Sequence, residues 1–357
     1  MVLRRYTAAV RERLLSWFDA HARPLPWRTP GARDPYRVLV AETLLQQTQA
    51  ARAGEAFPRF LARFPDPTAL AAARDHEVLT QWQGLGYYQR ALRLHRCAQV
   101  LVRDHGGTLP DDLAALEALP GVGRYTARAI AAQAFGQAHV AVDANVRRLG
   151  ARLLGLAQPE DRVIEAGLAT LLWGDASDSR HADRLPDHMT EALIELGATC
   201  CTPRRPACHA CPLRRACHAA ASGEPEAFPA PRRRRPPRRE QLRLLVARRG
   251  AAVALARRPG HGRWAGLWGF PQANDANPVG RPLAGFEHGL SHRNLQVRPL
   301  LVRAERVPAE VVWVPLSRVA EGGGEHPVAA VDQRLARQLL AADERRAERS
   351  SALVGSA

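Results

Sequence analysis

From the first residue to about residue 220, apolar positions recur at intervals of three and four, the spacing of helices that bury one face. Residues 1–17, MVLRRYTAAVRERLLSW, read as an amphipathic helix, and no stretch before 220 alternates in the way a strand requires. Asp34-Pro35 marks a helix start, with Asp as N-cap and Pro as first helical residue, and the helix runs on through Thr48. Further helices are predicted over 88–103, 111–118 and 125–135.

The pattern breaks at 221–240, where Pro, Gly and clustered Arg cannot build a core; this reads as an exposed linker. Beyond it, residues 242–259 hold two apolar runs parted by Arg-Gly, as in a β-hairpin, and 295–307 and 311–316 also read as strands. A helix is predicted over 328–346, and residues 347–357 are expected to be disordered. The expected organisation is a helical domain over 1–220 and an α+β domain over 241–346. No internal repeat is visible.

Composition narrows the class. With 46% apolar residues in 357, two cores are affordable. No run of 18 apolar residues spans a membrane, and the charged start does not look like a signal peptide, so a soluble cytoplasmic protein is expected; it is also expected to be a monomer. The formal net charge of +16 favours a polyanionic partner, although free use of Arg in a GC-rich genome gives the same count. The chain contains no lysine, so all 51 basic residues are Arg, and no side-chain amine is available to form a Schiff base.

Two segments carry recognisable chemistry. Cys201, Cys208, Cys211 and Cys217 are separated by six, two and five residues, with Cys200 beside the first. Four thiolates in a compact loop suit zinc or an iron–sulfur cluster; the uneven gaps fit the paired knuckles of a zinc ribbon less well. Cys97, inside a helix, reads as core. Between the helices at 111–118 and 125–135, Leu119-Pro120-Gly121-Val122-Gly123-Arg124 offers a tight turn. Two glycines allow positive φ and close approach of another backbone, and the following helix turns its N-terminal N–H groups toward an anion. Gly121, Gly123 and Arg124 are therefore candidate phosphate contacts.

Two carboxyls stand out. Glu42 interrupts an apolar run. If it is buried it resists ionisation, and half protonation near pH 7 needs a rise of about 2.7 pKa units, roughly 3.7 kcal/mol. A neutral Glu is a general acid; the plain alternative is an exposed Glu on the polar face. Asp143 stands where a short apolar entry meets a helix, a position that an ordinary N-cap also explains.

Taken together these segments resemble the endonuclease III-like, helix-hairpin-helix iron–sulfur glycosylases, and most specifically the MutY-type adenine glycosylases. The resemblance is carried by Leu25-Pro26-Trp27-Arg28, Glu42 to Thr48, Gly84-Leu85-Gly86-Tyr87-Tyr88, the hairpin, the Asp143 segment and the cysteine spacing. It implies a mainly α core with one 4Fe-4S cluster held by Cys201, Cys208, Cys211 and Cys217, whose loop presents Arg204, Arg205, Arg214 and Arg215 to DNA. It implies that Glu42 protonates adenine and that Asp143 stabilises the oxocarbenium sugar, supported by Tyr125 and Asn145. Trp27, Arg28, Leu45 and Glu191 would line the adenine pocket. Gln47, Thr48, Leu85 and Tyr87 would fill the vacated stack of the duplex; for Trp27 and Tyr87, core packing is the plain alternative. The implied partner is double-stranded DNA with an A·8-oxoguanine or A·G mispair. Related lyases carry Lys directly after Val-Gly-Arg; Tyr125 stands there, so a monofunctional enzyme is expected.

In the second domain, Gly262 to Pro271 resembles a segment of the family's Nudix-like domain, without the Glu-rich metal helix of a pyrophosphatase. His288-Gly289-Leu290-Ser291-His292 resembles its 8-oxoguanine-reading loop, with Leu290 in place of the usual Phe; Ser291 and His292 remain candidate contacts. Two other readings compete: a related glycosylase for another mispair such as G·T, and a DNA-binding or redox-sensing protein without chemistry.

Overall fold

The computed structural model describes residues 2–29, 33–174, 188–231, 236–273, 279–290 and 292–354. It divides into two compact units, one of Met1–Ala71 with Arg96–Arg233, the other of Ala72–His95 with Arg234–Ala357. The first unit is therefore not one continuous stretch.

Twelve helices precede the linker among the described residues: α1 (Val2–His21), α2 (Pro35–Leu45), α3 (Ala50–Arg63), α4 (Pro67–Ala71), α5 (Asp75–Gln81), α6 (Gln89–Asp104), α7 (Leu113–Ala118), α8 (Arg124–Phe135), α9 (Ala144–Leu154), α10 (Asp161–Trp173), α11 (Met189–Thr199) and α12 (His218–Ala221). The expected helices thus lie within two residues of their predicted starts. In the first unit α2 packs on α8, and α11 on α9 and α1. Leu14, Leu168, Leu193 and Leu196 lie at the centre of this packing, each 1% exposed or less. α2 starts as the sequence dictates: Asp34 accepts from the N–H groups of Tyr36 and Arg37, and Pro35 follows.

Among its described residues the second unit holds two four-stranded sheets. In the first, β1 (Arg238–Val246) runs parallel to β7 (Arg293–Leu301), and β7 also pairs antiparallel with β5 (Arg281–Pro282) and β6 (Phe286–Leu290). In the second, β3 (Ala252–Arg257) pairs with β2 (Arg248–Arg249), β4 (Trp268–Gly269) and β8 (Val311–Pro315). Two further helices follow, α13 (Leu316–Glu321) and α14 (Ala330–Val354). Asp332, fully buried at the start of α14, accepts from Arg258 Nη2 and from the N–H of Phe270, tying helix to sheet.

Three expectations are corrected here. The run 242–259 is not one hairpin, since its first strand joins the other sheet. Leu244, Leu245 and Val246 are buried in succession, which suits a parallel strand covered on both faces and not a half-exposed hairpin. The strand expected over 295–307 ends at Leu301. The tail from 347 continues α14 to Val354, because Ala, Arg, Glu and Leu favour helix and no Gly or Pro interrupts them.

Candidate active site

One cleft of about 760 Å³ in the first unit gathers most of the candidate residues: Trp27, Arg28, Glu42, Leu45, Gln47, Thr48, Tyr125, Asp143, Asn145 and Glu191. They come from the segment after α1, from α2 and its end, from the starts of α8 and α9, and from α11.

Glu42 is 5% exposed on the inner face of α2, so the exposed alternative falls. Its Oε1 accepts from Gln133 Nε2 at 2.9 Å. Tyr125 interacts with the same carboxyl, yet Oε2 has no partner in ordinary hydrogen-bond geometry. Burial pushes Glu42 up to about 7 against the opposing pull of the Gln133 and Tyr125 hydrogen bonds, with the charges of Asp143 and Glu191 adding to the rise.

Asp143 caps α9 and faces the cleft at once. Its Oδ1 accepts from the N–H of Val146 at 2.7 Å and its Oδ2 from Asn145 Nδ2 at 2.9 Å. Burial raises its pKa, and these N–H donors oppose the rise. Glu42 thus has a dry environment with side-chain partners only, Gln133 and Tyr125, while Asp143 accepts from backbone and side-chain donors at a helix N-terminus, a setting that favours the anion. Two carboxyls so placed divide the roles of acid and counter-charge. Burial raises the Tyr125 phenol well above its usual value, with the Glu42 and Asp143 charges adding to it, so it stays protonated.

Along one wall of the cleft runs a charge network that sequence reasoning found only in part. Burial works against ionisation of Glu191, but hydrogen bonds from His188 and Arg33 and the charges of Arg33 and Arg28 hold it down to about 2. Glu195, one turn along α11 and fully buried, accepts from Arg23 Nε at 2.6 Å and Arg28 Nη2 at 2.9 Å. Glu191 and Glu195 four residues apart in an otherwise apolar helix were the available signal. Gln133, a lone amide in the apolar run of α8, was another. Trp27 is 8% exposed and meets Phe57 edge-on, so it packs in the core and lines the cleft at once.

Gly197 lets α11 approach α9: a Cβ there would lie 2.8 Å from Asn145 Cβ and 2.9 Å from its carbonyl. Arg148 completes the join, donating to Asn145 Oδ1, to the carbonyl of Gly197 and to the carbonyl of Cys201.

The two glycines of the hairpin between α7 and α8 differ in conformation, which corrects the expectation of positive φ at both. Gly121 has φ 83°, whereas Gly123 is the extended N-cap of α8 at φ −100°. A Cβ at Gly123 would meet nothing within 4 Å, and Gly123 is solvent-exposed. Its bare backbone leaves room for a group from outside the chain. Arg124 beside it is paired with Glu165 at 2.6 Å.

Cys201, Cys208, Cys211 and Cys217 line a second cavity, together with Cys200 and Arg152. Arg152 Nη1 lies 3.3 Å from Cys201 Sγ, a positive charge placed to favour thiolate. Among the described residues no three such side chains stand close enough to hold a single metal ion. The donor set, its chemistry and its shared cavity fit an iron–sulfur cluster. Cys97 is a fully buried core residue. Arg204, Arg205, Arg214 and Arg215 are all exposed around the cysteine loop.

Leu85 and Tyr87 belong to the second unit. Leu85 is 7% exposed and Tyr87 42%, with φ 47°. His288 to Leu290 form part of β6, and the turn to β7 exposes His292; Ser291 lies outside the described residues.

Residues 40–172 match the family model of the HhH-GPD superfamily of base excision DNA repair proteins, and residues 243–338 match that of the NUDIX domain. The chain thus joins a helical HhH-GPD domain to a Nudix-like domain. Over 201 residues it is 45% identical to an adenine DNA glycosylase of Mycobacterium tuberculosis, covering 56% of this chain and 64% of that protein. It is 36% identical over 316 residues to an adenine DNA glycosylase of Homo sapiens, covering 74% of this chain and 57% of that one. The chain therefore spans less than two thirds of the length of these relatives. Among solved structures it is similar to a thermostable thymine-DNA glycosylase, with TM-score 0.54 and 27% identity over 62% of this chain and all of that one. No described helix is long and apolar enough to cross a membrane.

Proposed function

We propose that this chain is an adenine DNA glycosylase that extrudes adenine mispaired with 8-oxoguanine or guanine and removes it by hydrolysis. The observation that carries this is a Glu held near half protonation at neutral pH in the same cleft as a hydrogen-bonded Asp. Adenine is a poor leaving group as an anion. A proton passed from Glu42 to its N7 lets it leave neutral as the C1′–N9 bond breaks. The positive charge left on the sugar is met by Asp143, which Asn145 and the N–H of Val146 hold in place. Water then adds at C1′ and gives up a proton, which returns the Glu42 carboxylate to its acid form, and the product is an abasic site.

The absence of lysine supports a monofunctional enzyme. Cys201, Cys208, Cys211 and Cys217 would hold one 4Fe-4S cluster, which when bound orders the loop carrying Arg204, Arg205, Arg214 and Arg215. Four irons and four acid-labile sulfides per chain are expected; stoichiometric zinc in their place would sink that assignment.

The deciding experiment is single-turnover base release from A·8-oxoguanine, A·G and T·G duplexes, with and without alkali. Adenine release is expected, with strands cut only after alkali. Glu42→Gln should slow release by about 10²–10⁴-fold with binding kept. A second reading, a thymine glycosylase acting on T·G, draws on the likeness to the thymine-DNA glycosylase structure. Faster loss of thymine than of adenine would establish it in place of the first.

A further inference from the structure

Gln133 has no part in the chemistry above, yet it is 4% exposed in α8 and its amide makes two unlike contacts. Its Nε2 lies 2.9 Å from Glu42 Oε1, and its Oε1 lies 3.3 Å from Arg33 Nη1. An amide can in general be turned over, exchanging oxygen and nitrogen. Here it cannot. A guanidinium has donors and no acceptor, and Arg33 is itself fixed, 2.6 Å from Glu191 Oε2 and 3.0 Å from His188 Nδ1. Turning the amide would set its NH₂ against the N–H groups of Arg33. The nitrogen must face Glu42, where it only donates.

This dictates where a proton on Glu42 can sit. The oxygen that receives the Gln133 N–H is the carbonyl oxygen of the neutral acid, so the hydroxyl is the other one. That other oxygen, Oε2, is the buried atom without a partner in ordinary geometry. The Tyr125 hydroxyl can donate or accept, and so imposes no polarity of its own.

We propose that Gln133, its amide polarity dictated by Arg33, is a positioning residue that confines the acidic proton of Glu42 to Oε2, an inference that rests on reading Glu42 as the general acid. When the Oε2–H bond breaks and the proton joins the base, the Gln133 N–H becomes a donor to a carboxylate. That bond is stronger than the one before transfer. Gln133 therefore favours the departure of the proton as well as fixing its address, in keeping with its downward pull on Glu42.

The test is single-turnover adenine release between pH 5 and pH 9.5 for the wild type, Gln133→Met and Gln133→Glu, with duplex affinity measured in parallel. In Gln133→Met the low-pH plateau should fall roughly tenfold as the proton loses its fixed position. Its alkaline limb should move up by about one pH unit, because a donor to the carboxylate is gone. In Gln133→Glu a carboxylate paired with Arg33 only accepts, so it draws the proton of Glu42 onto Oε1. Release should then drop more than about a hundredfold with binding kept. This near-isosteric change carries the test should the Met variant fail to fold. A pH profile that superimposes on the wild type's in either folded variant overturns the assignment. Wild-type release that survives Glu42→Gln, or no adenine release by the wild type at any pH, overturns instead the reading of Glu42 on which it stands.

Discussion

Read as the proposed general acid, Glu42 couples activity and stability to pH with the same proton. Its pKa in the fold, about 7, lies above the ordinary 4.5. As the acid it must be protonated, so adenine release should decline as pH rises through about 7. The same shift acts on folding: the contribution of the neutral group is fully present below about 4.5 and is lost as pH rises through about 7. At pH 8.5 the buried carboxylate therefore costs the fold about 3 kcal/mol. Glu42→Gln keeps the shape of the neutral acid, so it should melt higher than the wild type at pH 8.5 and close to it at pH 4.5, while releasing little adenine at either. Equal melting temperatures at both values would contradict a desolvated Glu42. Glu191 runs the other way, its contribution present above about 4.5 and lost as pH falls toward about 2.

At the scale of elements, two glycines separate folding from binding. Gly197→Ala forces a methyl group to within 2.9 Å of Asn145 backbone atoms, so α11 must move off α9. A loss of about 1–3 kcal/mol and a fall in base release are expected together, read from the melting temperature and the single-turnover rate. Gly123→Ala meets open space in the protein. It should leave the melting temperature within a few degrees while weakening binding to any duplex, whatever its sequence. Local sequence grammar made this hairpin, the Asp34-Pro35 start of α2 and the cysteine loop legible, because caps, turns and spacings are short-range features. Asp143 needed no choice between its two readings, since it is cap and cleft residue at once. What stayed hidden was long-range. Gln133 meets Glu42 from 91 residues away, Arg33 meets Gln133 from 100 away, and Arg148 reaches the Cys201 carbonyl across 53. The sheet that β1 joins is likewise set by β7, about 50 residues on, and not by the adjacent strand.

For the whole molecule, the +16 charge should make the proposed DNA binding salt-dependent. Each phosphate contact contributes about −0.9 to the slope of log K against log salt. Arg214→Ala and Arg215→Ala should each reduce that slope by about one without changing which base is released; an unchanged slope would remove the cysteine loop from the DNA interface. The division of the chain carries another consequence. Ala72–His95 belongs with residues that follow the linker: Leu79 and Leu92 lie beside Gly266, and Gln83 reaches the carbonyl of Gly322. During synthesis this segment leaves the ribosome more than a hundred residues ahead of those partners, so Leu79, Gln83 and Leu92 gain these contacts late. A fragment stopped at residue 233 would lack these contacts, and it should melt lower than the full chain even though the candidate cleft lies wholly within it.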